Sequence, residues 1–584
     1  MRQEATQPAV KHLRSTSVIV MILGLDVGGT HTDVVLLGSA GILQQVKVPT
    51  DPERLLEVVW SGIQQVLQGV SPAQVKRAVL STTLCTNAIV QNRLAPVGMI
   101  VSGGPGLDPR DFSTGDHFFV VSGSIDHRGR EIQSLDSSEI EAIRSQLIAD
   151  GIRHVGVVTK FSVRNPKQEL EIQQILGDGF DYVFLGHRIS GHLNFPRRIA
   201  TAYLNCAVYP VYRGFFDAVR QGLDREGLTF PIYVLKADGG TMSLDASLSC
   251  PGQTILSGPA ASVMGSLPFA PPRGDTLTLD IGGTTTDMAL LVDQVPLLEP
   301  LGIQVGPFKT LIRSLQSHSI ALGGDSVVRV VDGGIRIGPD RAGPAMAYGG
   351  PSPTPTDALF VLEKETAGDG AAALRGIEEL AGQLGQSPRE TAQRIIDQAC
   401  ATILASARRM VASINRRPVY TVHELLDGYQ ISPDHILVLG GPAPHFAEFL
   451  RAATGSTVET VPRWQVANAV GAAIARTTCE VTLFADTERG VASAPEEDYY
   501  QSIRSAFGRQ EAIDLAHDLL RVKAVREGAD DRDLDIDLVE DSQFNMVRGF
   551  HTTGRNIRIT VQIRPGLIHD YRRVEEDMAP APSE

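Results

Sequence analysis

The stretch Thr278-Leu-Asp-Ile-Gly-Gly-Thr-Thr-Thr-Asp-Met-Ala-Leu-Leu291 decides the fold of this 584-residue chain. A near copy, Gly24-Leu-Asp-Val-Gly-Gly-Thr-His-Thr-Asp-Val-Val-Leu-Leu37, lies close to the N-terminus, and 9 of the 14 aligned positions are identical. A solenoid would repeat at roughly 20–50 residues, so a repeat at this large separation indicates one supersecondary unit used twice. We therefore predict two related halves.

Each copy predicts a strand, a glycine turn and a second strand. Glycines allow backbone N–H groups to approach a ligand, and together with threonine hydroxyls they form a nest for phosphate oxygens. The leading Asp26 and Asp280 end buried strands, where a carboxylate can hold Mg²⁺. We assign both aspartates to the metal and to catalysis; two ordinary hairpins are the alternative. The predicted phosphate-binding residues are Gly28, Gly29, Thr30, Thr32, Gly282, Gly283, Thr284, Thr285 and Thr286.

This doubled motif resembles the two phosphate hairpins of the superfamily that holds actin, the sugar kinases and the related chaperone ATPases. Its threonine-rich form resembles more particularly the hydantoinase A and 5-oxoprolinase family, which includes subunits of ATP-dependent ketone carboxylases. The resemblance implies an α/β fold with duplicated actin-like (ribonuclease H-like) ATPase domains around a nucleotide cleft. It also implies ATP and Mg²⁺ as cofactors.

Three further segments resemble family motifs, and the resemblance implies substrate contacts there. Residues 79–90 resemble the motif Gly-Thr-Thr-x-Ala-Thr-Asn-Ala, with Ser81 in place of the glycine; helix capping is the alternative for this cluster. Residues 237–241 resemble a Ser/Asp-Gly-Gly turn, and residues 353–358 complete the family pattern. The candidate substrate residues are Thr82, Thr83, Asn87, Asp238, Thr356 and Asp357.

Three more glycine-containing segments are candidates for nucleotide contacts. Ser257 and Gly258 begin a small-residue helix whose free N–H groups suit an anion, although a tight helix–strand junction would use the same residues. Gly323 and Gly324 repeat the glycine turn more loosely, and Asp325 stands where the family usually has glycine or serine. Gly440 and Gly441 follow a strand in the last third of the chain, the position of the superfamily's adenosine loop.

Composition excludes several classes of partner. A net charge of −14 argues against a nucleic-acid surface or an anionic membrane, both of which require clustered positive charge. The five cysteines are widely spaced without a Cys-x-x-Cys motif, which suits a reducing, cytoplasmic location. We expect a small-molecule substrate, and the resemblance leaves open a second subunit of hydantoinase B type and a homo-oligomer.

The sequence predicts four segments. Residues 1–20 are expected to be a disordered extension, 21–200 an N-terminal domain with the first phosphate hairpin, and 201–480 a domain with the second hairpin and the adenosine loop. Residues 481–584 are expected to be a small α/β appendage with a hairpin over 542–563 that turns at 552–555. Its tail, from residue 574, is expected to be disordered.

The first functional hypothesis is an ATP-dependent hydrolase that opens a cyclic amide of hydantoin or 5-oxoproline type through phosphorylation of the carbonyl oxygen. The alternatives are a subunit of an ATP-dependent ketone carboxylase, a non-catalytic ATP-gated regulator and a small-molecule kinase. The hairpins would look the same in all four cases. The residues that distinguish these reactions lie outside the motifs.

Overall fold

A computed structural model describes residues 21–39, 41–51, 54–416, 429–532 and 534–568. The disorder expected for residues 1–20 and for the tail from residue 574 concerns residues outside these ranges. Within the described ranges, no helix is long and apolar enough to cross a membrane.

The first half of the chain is built on a six-stranded sheet. At its centre, the first two strands form an antiparallel hairpin. The fourth and fifth strands of this sheet run parallel to the first strand of the hairpin. The strands are β1 (Met21–Val27), β2 (His31–Gly38), β3 (Gly41–Pro49), β4 (Val75–Thr82), β11 (Ile232–Leu235) and β12 (Thr241–Ser243), in the spatial order β12-β11-β4-β1-β2-β3. Helices α1 (Leu55–Val66) and α2 (Leu84–Val90) follow β3 and β4.

The second half repeats this plan. Its strands are β13 (Asp275–Ile281), β14 (Thr286–Val292), β15 (Val295–Pro296), β18 (Ser317–Ile320), β21 (His435–Leu439) and β22 (Thr457–Thr460). The hairpin β13–β14 is antiparallel, β18 pairs with its outer side, and β21 and β22 run parallel to β13. In both sheets the hairpin therefore lies at the centre, with a third strand on the outer side of its second strand and two later parallel strands on the side of its first. The duplicated α/β fold is confirmed.

Helices cover the second sheet and connect it to the first. One helix ends at Gly385, which is left-handed with φ of 66°, and Pro388 starts the next helix. The helices are α7 (Leu244–Ser247), α8 (Ser257–Ser266), α9 (Pro355–Val361), α10 (Gly370–Leu384), α11 (Pro388–Asn415), α12 (Ala443–Ala453) and α13 (Ala467–Ile474). Short hairpins β16–β17 (Gln304–Val305, Phe308–Lys309) and β19–β20 (Val328–Val331, Gly334–Ile337) lie in the connections.

An inserted layer separates β4 from β11 along the chain. Its sheet has the order β10-β9-β5-β6 and is parallel throughout. The strands are β5 (Gly98–Ser102), β6 (His117–Val120), β9 (His154–Thr159) and β10 (Tyr182–Leu185), with helices α3 (Ser137–Ala149), α4 (Lys167–Leu176) and α5 (Gly186–Ile189) and a small pair β7–β8 (Ser124–Ile125, Glu131–Gln133).

Helix α6 (Phe195–Glu226) joins this layer to the first sheet. The expected domain boundary at 200/201 lies inside this helix, and β11 and β12 complete the first sheet beyond it. At its start, the guanidinium of Arg197 donates to the carbonyls of Leu301 (2.8 Å), Gly302 (3.3 Å) and Thr310 (2.9 Å). The helix is thus bound to the loop that precedes the second half's third strand.

A separate sheet follows from Glu480 in the region that the sequence analysis assigned to an appendage over residues 481–584. This antiparallel sheet of the C-terminal domain has the order β25-β24-β23-β27-β26 and packs on α14 (Arg509–Arg526). The strands are β23 (Glu480–Asp486), β24 (Val491–Ala494), β25 (Tyr499–Ser502), β26 (Ile536–Arg548) and β27 (His551–Ile563).

The turn of the last hairpin is not where the sequence analysis placed it. Arg548 pairs with His551, so the chain turns at Gly549 and Phe550, and residues 552–555 belong to β27. Gly549 has φ of 60°, which glycine adopts without strain. The prediction at 552–555 was wrong because it took Gly554 for a turn residue. Gly554 instead packs against the backbone of Glu488.

Helix α13 joins the two sheets through direct backbone contact. A Cβ atom at Gly24 of β1 would collide with the carbonyl of Ala469, and one at Gly471 would collide with the backbone of Ala261 and Gly265 in α8. These residues belong to a buried core shared by both halves. The small-residue run that opens α13 therefore allows a helix to sit in the space between two sheets.

We predict that Gly471→Ala destabilises the chain by about 1–3 kcal/mol, because an added methyl group in a close-packed contact forces backbone shifts. The matched control is Gly382→Ala in α10, where a Cβ atom meets nothing within 4 Å. That change is expected to stabilise the chain by about 1 kcal/mol or less. Thermal unfolding of both variants measures the difference, and an unchanged melting temperature in Gly471→Ala would contradict the packing account.

Candidate functional site

The two phosphate hairpins have the same turn geometry. The N–H of Gly28 donates to the carbonyl of His31 at 3.0 Å, and the N–H of Gly282 donates to the carbonyl of Thr285 at 2.9 Å. Asp26 then lies directly opposite Asp33. Asp280 lies opposite Asp287 in the same way. Residues opposite each other on paired strands share one face of the sheet, so each hairpin presents two carboxylates on one face.

The leading aspartates of the two hairpins are close enough to affect each other's charge. Burial raises the pKa of Asp26 to about 7, and the negative charges of Asp33 and Asp280 add to this effect. Hydrogen bonding from Ser81 and Asn468 opposes it. The Oδ1 atom of Asp26 is buried and makes no hydrogen bond to any described residue. The cleft therefore holds acidic groups that cannot all carry charge without a compensating cation.

Asp280 is positioned by side chains from two helices. The hydroxyl of Ser262 in α8 and the amide of Asn468 in α13 both donate to its Oδ2 atom, the latter at 3.1 Å. The helix that packs the two sheets together thus also fixes the carboxylate of the second hairpin. One oxygen of Asp280 is held, and its Oδ1 atom is oriented toward Gly440, where a Cβ atom would lie 2.6 Å away.

The outer aspartates of the two hairpins have different partners. Asp33 forms an ion pair with Lys47 of β3 at 2.8 Å. At the equivalent place in the second sheet, Ser319 of β18 lies opposite Asp287. Burial and the charge of Asp280 raise the pKa of Asp287 to about 7, with only a hydrogen bond to Ser319 opposing them. The duplicated halves are therefore electrostatically unequal.

The threonines of the two hairpins fall into two groups. Thr30 and Thr284 lie exposed at the turns, and the hydroxyl of Thr30 lies 3.3 Å from Nδ1 of His31. Thr32 is buried and its hydroxyl bonds that of Thr50 at 3.0 Å. The buried Thr286 donates to the carbonyl of Leu322 at 2.7 Å. Thr285 is half-buried between them.

The third glycine turn packs directly on the second hairpin. The N–H of Gly324 donates to the carbonyl of Gly282 at 2.9 Å, and the N–H of Asp325 donates to that of Gly283 at 2.7 Å. A Cβ atom at Gly323 would lie 2.5 Å from the carbonyl oxygen of Gly282. The hydroxyl of Thr356, at the start of α9, donates to the carbonyl of Gly324 at 2.8 Å and so holds the turn in place.

Charged side chains surround this third turn. Asp325 forms an ion pair with Arg341 at 3.1 Å. Both lie near His31 of the first hairpin, whose pKa is lowered first by burial and then by Lys47. The first hairpin and the third turn therefore face each other across the cleft.

Gly440 and Gly441 lie beside the second hairpin. Gly440 has φ of 97°, and a side chain there would meet the carbonyl of Ile281 and the carboxylate of Asp280. A Cβ atom at Gly441 would meet nothing within 4 Å, so this residue opens into free space. The predicted adenosine loop thus borders the same cleft.

The helix start at Ser257 is joined to the end of β4. The buried hydroxyl of Ser257 donates to the carbonyl of Thr82 at 3.0 Å, and a Cβ atom at Gly258 would lie 3.6 Å from the methyl group of Thr83. The hydroxyl of Thr83 donates to the carbonyl of Val27 at 3.3 Å and accepts from the amide of Asn87 at 3.1 Å. These residues therefore line the edge where β1 and β4 end.

Two predicted substrate residues lie apart from the hairpins. Asp357 is fully buried and accepts hydrogen bonds from the N–H groups of Met346, Ala347 and Thr354 and from the Thr354 hydroxyl. What the structure shows for Asp357 is a structural role at the start of α9. Asp238 is buried beside the C-terminal domain, where it accepts from Gly240 and Thr478.

Several residues of the site were missed by the sequence analysis. Asp33 and Asp287 are identical between the repeats, and their distance from the turn would have placed them opposite Asp26 and Asp280. Ser262 and Asn468 carried no such signal, since only the packing of two helices brings them to one carboxylate. Among the described residues, no group of three or more His, Cys, Asp or Glu side chains has the geometry of a metal site.

Comparison with known proteins identifies relatives of the chain. The family model described as Hydantoinase/oxoprolinase matches residues 198–481, and its N-terminal region model matches residues 22–179. Together these models cover more than half of the chain.

Two relatives and one solved structure illustrate the range of activities. The chain is 25% identical to the caprolactamase subunit alpha of Pseudomonas jessenii, over 76% of this chain and 68% of that protein. It is 26% identical to the acetophenone carboxylase gamma subunit of Aromatoleum aromaticum, over 58% of this chain and only 53% of that protein. The solved ATP-dependent caprolactamase of P. jessenii shares the fold, with a TM-score of 0.69 at 19% identity over 94% of this chain and 88% of that one.

The raised pKa of Asp26 predicts a dependence of stability on pH. A carboxyl group whose pKa rises from 3.8 in the unfolded chain to about 7 in the folded one binds protons more tightly when folded. Its contribution to stability is complete below the unfolded pKa and is lost as the pH rises through about 7. Asp26→Asn removes this loss without changing the shape of the side chain.

We therefore expect Asp26→Asn, in buffer with chelator, to melt a few degrees above the wild type at pH 8 and by a smaller margin at pH 5, where only part of the loss has occurred. Asp116→Asn, a change at an exposed carboxylate, is the matched control and is expected to leave both values unchanged. A difference in melting temperature that is the same at both pH values would contradict the assignment.

Proposed function

We propose that this chain, which belongs to the hydantoinase/oxoprolinase family, binds ATP with Mg²⁺ between its two hairpins and uses it to open a cyclic amide. The observation that carries the proposal is the cluster of coupled carboxylates between two glycine turns. Burial and mutual repulsion raise the pKa of Asp26, and its Oδ1 atom makes no hydrogen bond within the described chain. A hard divalent cation would satisfy both requirements.

The residues fit this cofactor and this co-substrate. Asp26 and Asp280 would hold Mg²⁺, which prefers few carboxylates and completes its shell with phosphate oxygens and water. This preference agrees with the absence of a larger ligand cluster among the described residues. The N–H groups of Gly29 and Thr30 in one turn, and of Gly283 and Thr284 in the other, would bind phosphates. Gly440 and Gly441 would border the adenosine. When bound, Mg²⁺ would neutralise charge on the phosphates.

Ring opening of an amide requires activation of its carbonyl group, and ATP would supply that activation. An amide carbonyl is a poor electrophile because nitrogen donates electrons into it. Transfer of the γ-phosphoryl group to the carbonyl oxygen breaks the bond from the γ-phosphorus to its bridging oxygen and releases ADP. Water then adds to the activated carbon, and the C–N bond breaks as nitrogen takes a proton, which leaves an acyl phosphate. A second water adds to the same carbon, and phosphate departs with the former carbonyl oxygen. The chain contributes positioning and stabilisation of charge.

One comparison favours ring opening over carboxylation. The alignment with the caprolactamase subunit spans 68% of that protein, against 53% of the carboxylase subunit. A carboxylase subunit is the second candidate, in which an enol oxygen would be phosphorylated and bicarbonate would supply the carbon. Both relatives are named as subunits, which supports a second subunit for this chain as well. A regulator without catalysis accounts less well for family matches that extend beyond the hairpins.

We predict that Asp280→Ala lowers ATP hydrolysis about 100-fold or more, because it removes a charged group preorganised at the transferred phosphoryl group. The wild-type rate is measured first across lactams, hydantoins and ketones, with and without bicarbonate. The control Asp116→Ala, at an exposed carboxylate, is expected to keep the wild-type rate. Retention of wild-type turnover by a folded Asp280→Ala variant would remove Asp280 from the site.

Isotopic labelling tests the route itself. With ¹⁸O in the carbonyl of a cyclic amide that supports turnover, we expect the label to appear in inorganic phosphate, because the carbonyl oxygen leaves with the phosphoryl group. Mass spectrometry of the released phosphate measures it. Coupled turnover that leaves all the label in the carboxylate product would exclude oxygen phosphorylation. Turnover that requires a ketone and bicarbonate would select the carboxylase candidate.

A further inference from the structure

A second cavity, of about 330 Å³, lies where α6, the loop after β11 and the C-terminal domain meet. We call it the junction chamber; its charged lining includes Lys236, Asp238, Arg313, Glu480, Glu496 and Lys523. Strand β4 separates β11 from β1, and neighbouring strands lie about 4.8 Å apart, so Asp238 is on the order of 10 Å along the same sheet edge from Asp26. The volume suits a small molecule.

Arg313 is the least satisfied group in the chamber. Its three guanidinium nitrogens are buried, and none makes a hydrogen bond to a residue that the structure describes. Its two nearest acids form long ion pairs with it and no hydrogen bonds: Asp238 lies 3.5 Å from Nε, and Glu480 lies 3.9 Å from a terminal nitrogen. A buried donor without an acceptor is costly, and a guanidinium binds a carboxylate best through two parallel bonds. Arg313 is therefore suited to a carboxylate from outside the chain.

The neighbouring charges are already paired within the chain. Lys236 donates to the carbonyl of Thr478 at 2.6 Å. Asp238 accepts from the Thr478 hydroxyl at 2.8 Å. Lys523 forms an ion pair with Glu497 at 2.8 Å. These three groups thus have short contacts within the described chain, whereas Arg313 has only its two long ion pairs there.

Acidic side chains with few partners lie in the same chamber. Glu480 has only distant ion pairs, to His192 at 3.8 Å and to Arg313 at 3.9 Å. Glu496 comes from the C-terminal domain and accepts a hydrogen bond from the N–H of Gly191. The chamber thus offers a loosely held cation and loosely held acids within a space of molecular size.

We propose that the junction chamber binds a small zwitterionic amino acid, with its carboxylate on Arg313 and its ammonium group on Glu480 and Glu496. The choice of ligand rests on the proposed function. Opening a lactam with water yields one amine and one carboxylate, whereas opening a hydantoin yields a carbamoyl acid without an ammonium group. The chamber therefore favours lactams as the substrate class and makes the C-terminal domain part of the product site.

Calorimetric titration of the full chain without nucleotide tests this inference. The probes are the zwitterions 5-aminopentanoate, 6-aminohexanoate and glutamate, each beside matched compounds that lack one charge, such as pentanoate and pentylamine. We expect one zwitterion to bind once per chain, at least 10-fold more tightly than either single-charge analogue. The inference is overturned if none of the zwitterions binds, or if pentanoate binds equally well.

Variants locate the site. Arg313→Gln is expected to weaken binding of the zwitterion at least 10-fold, and Arg329→Gln, which removes an exposed arginine paired with Asp340, is expected to leave it unchanged. Equal binding by folded Arg313→Gln would place the site elsewhere and overturn the inference. If this variant does not fold, the comparison of probes on the wild type still decides.

The two proposals fail separately. If the chain binds the zwitterion at Arg313 but no cyclic amide stimulates ATP hydrolysis, the inference about the junction chamber stands and the proposed function is refuted. If the chain turns over a lactam but binds no zwitterion, the proposed function stands and the inference about the junction chamber is overturned. Asp280→Ala is expected to lose ATP hydrolysis while it still binds the zwitterion, because Asp280 lies in the cleft and not in the chamber.

Discussion

The contact of α13 with both halves is the constraint on which the rest of the molecule depends. Backbone atoms of this helix meet β1 at Gly24 and α8 at Gly265, where any side chain would collide with a carbonyl or an amide. Only at this separation can Asn468 of α13 reach the carboxylate of Asp280. The geometry of the acidic cleft is therefore a result of helix packing as much as of the hairpins that carry the aspartates.

Within that frame, the duplication has produced halves that are alike in backbone and different in charge. The hairpins share a turn and a register, yet Asp33 has the cation Lys47 opposite it and Asp287 has the neutral Ser319. Burial and repulsion therefore raise the pKa of Asp287 to about 7 with no cation among the described residues to oppose them, whereas the charge of Lys47 opposes the rise in the pKa of Asp33. The two halves place equivalent atoms around one cleft without being equivalent electrostatically.

Local pattern was sufficient to predict the two hairpins, because each depends on residues close together in the chain. The duplicated α/β fold was implied by the family resemblance that these hairpins carry. The last turn was misplaced, since both Gly549 and Gly554 suit a turn and only pairing with β23 decides between them. Asp357 was taken for a substrate residue because a motif does not record which hydrogen bonds a carboxylate already has. The junction chamber had no sequence signal, as its charges come from segments hundreds of residues apart.

The long helix α6 also has a mechanical consequence. It runs for 32 residues, or about 48 Å at 1.5 Å per residue, from the inserted parallel layer to the far side of the first sheet. Through Arg197 and Thr201 it is bonded to the carbonyls and the amide of residues 301–311, immediately before Arg313. The first turns of α6, which also contact the inserted layer through Arg198 and the carbonyl of Thr159, therefore connect that layer to the segment that carries Arg313.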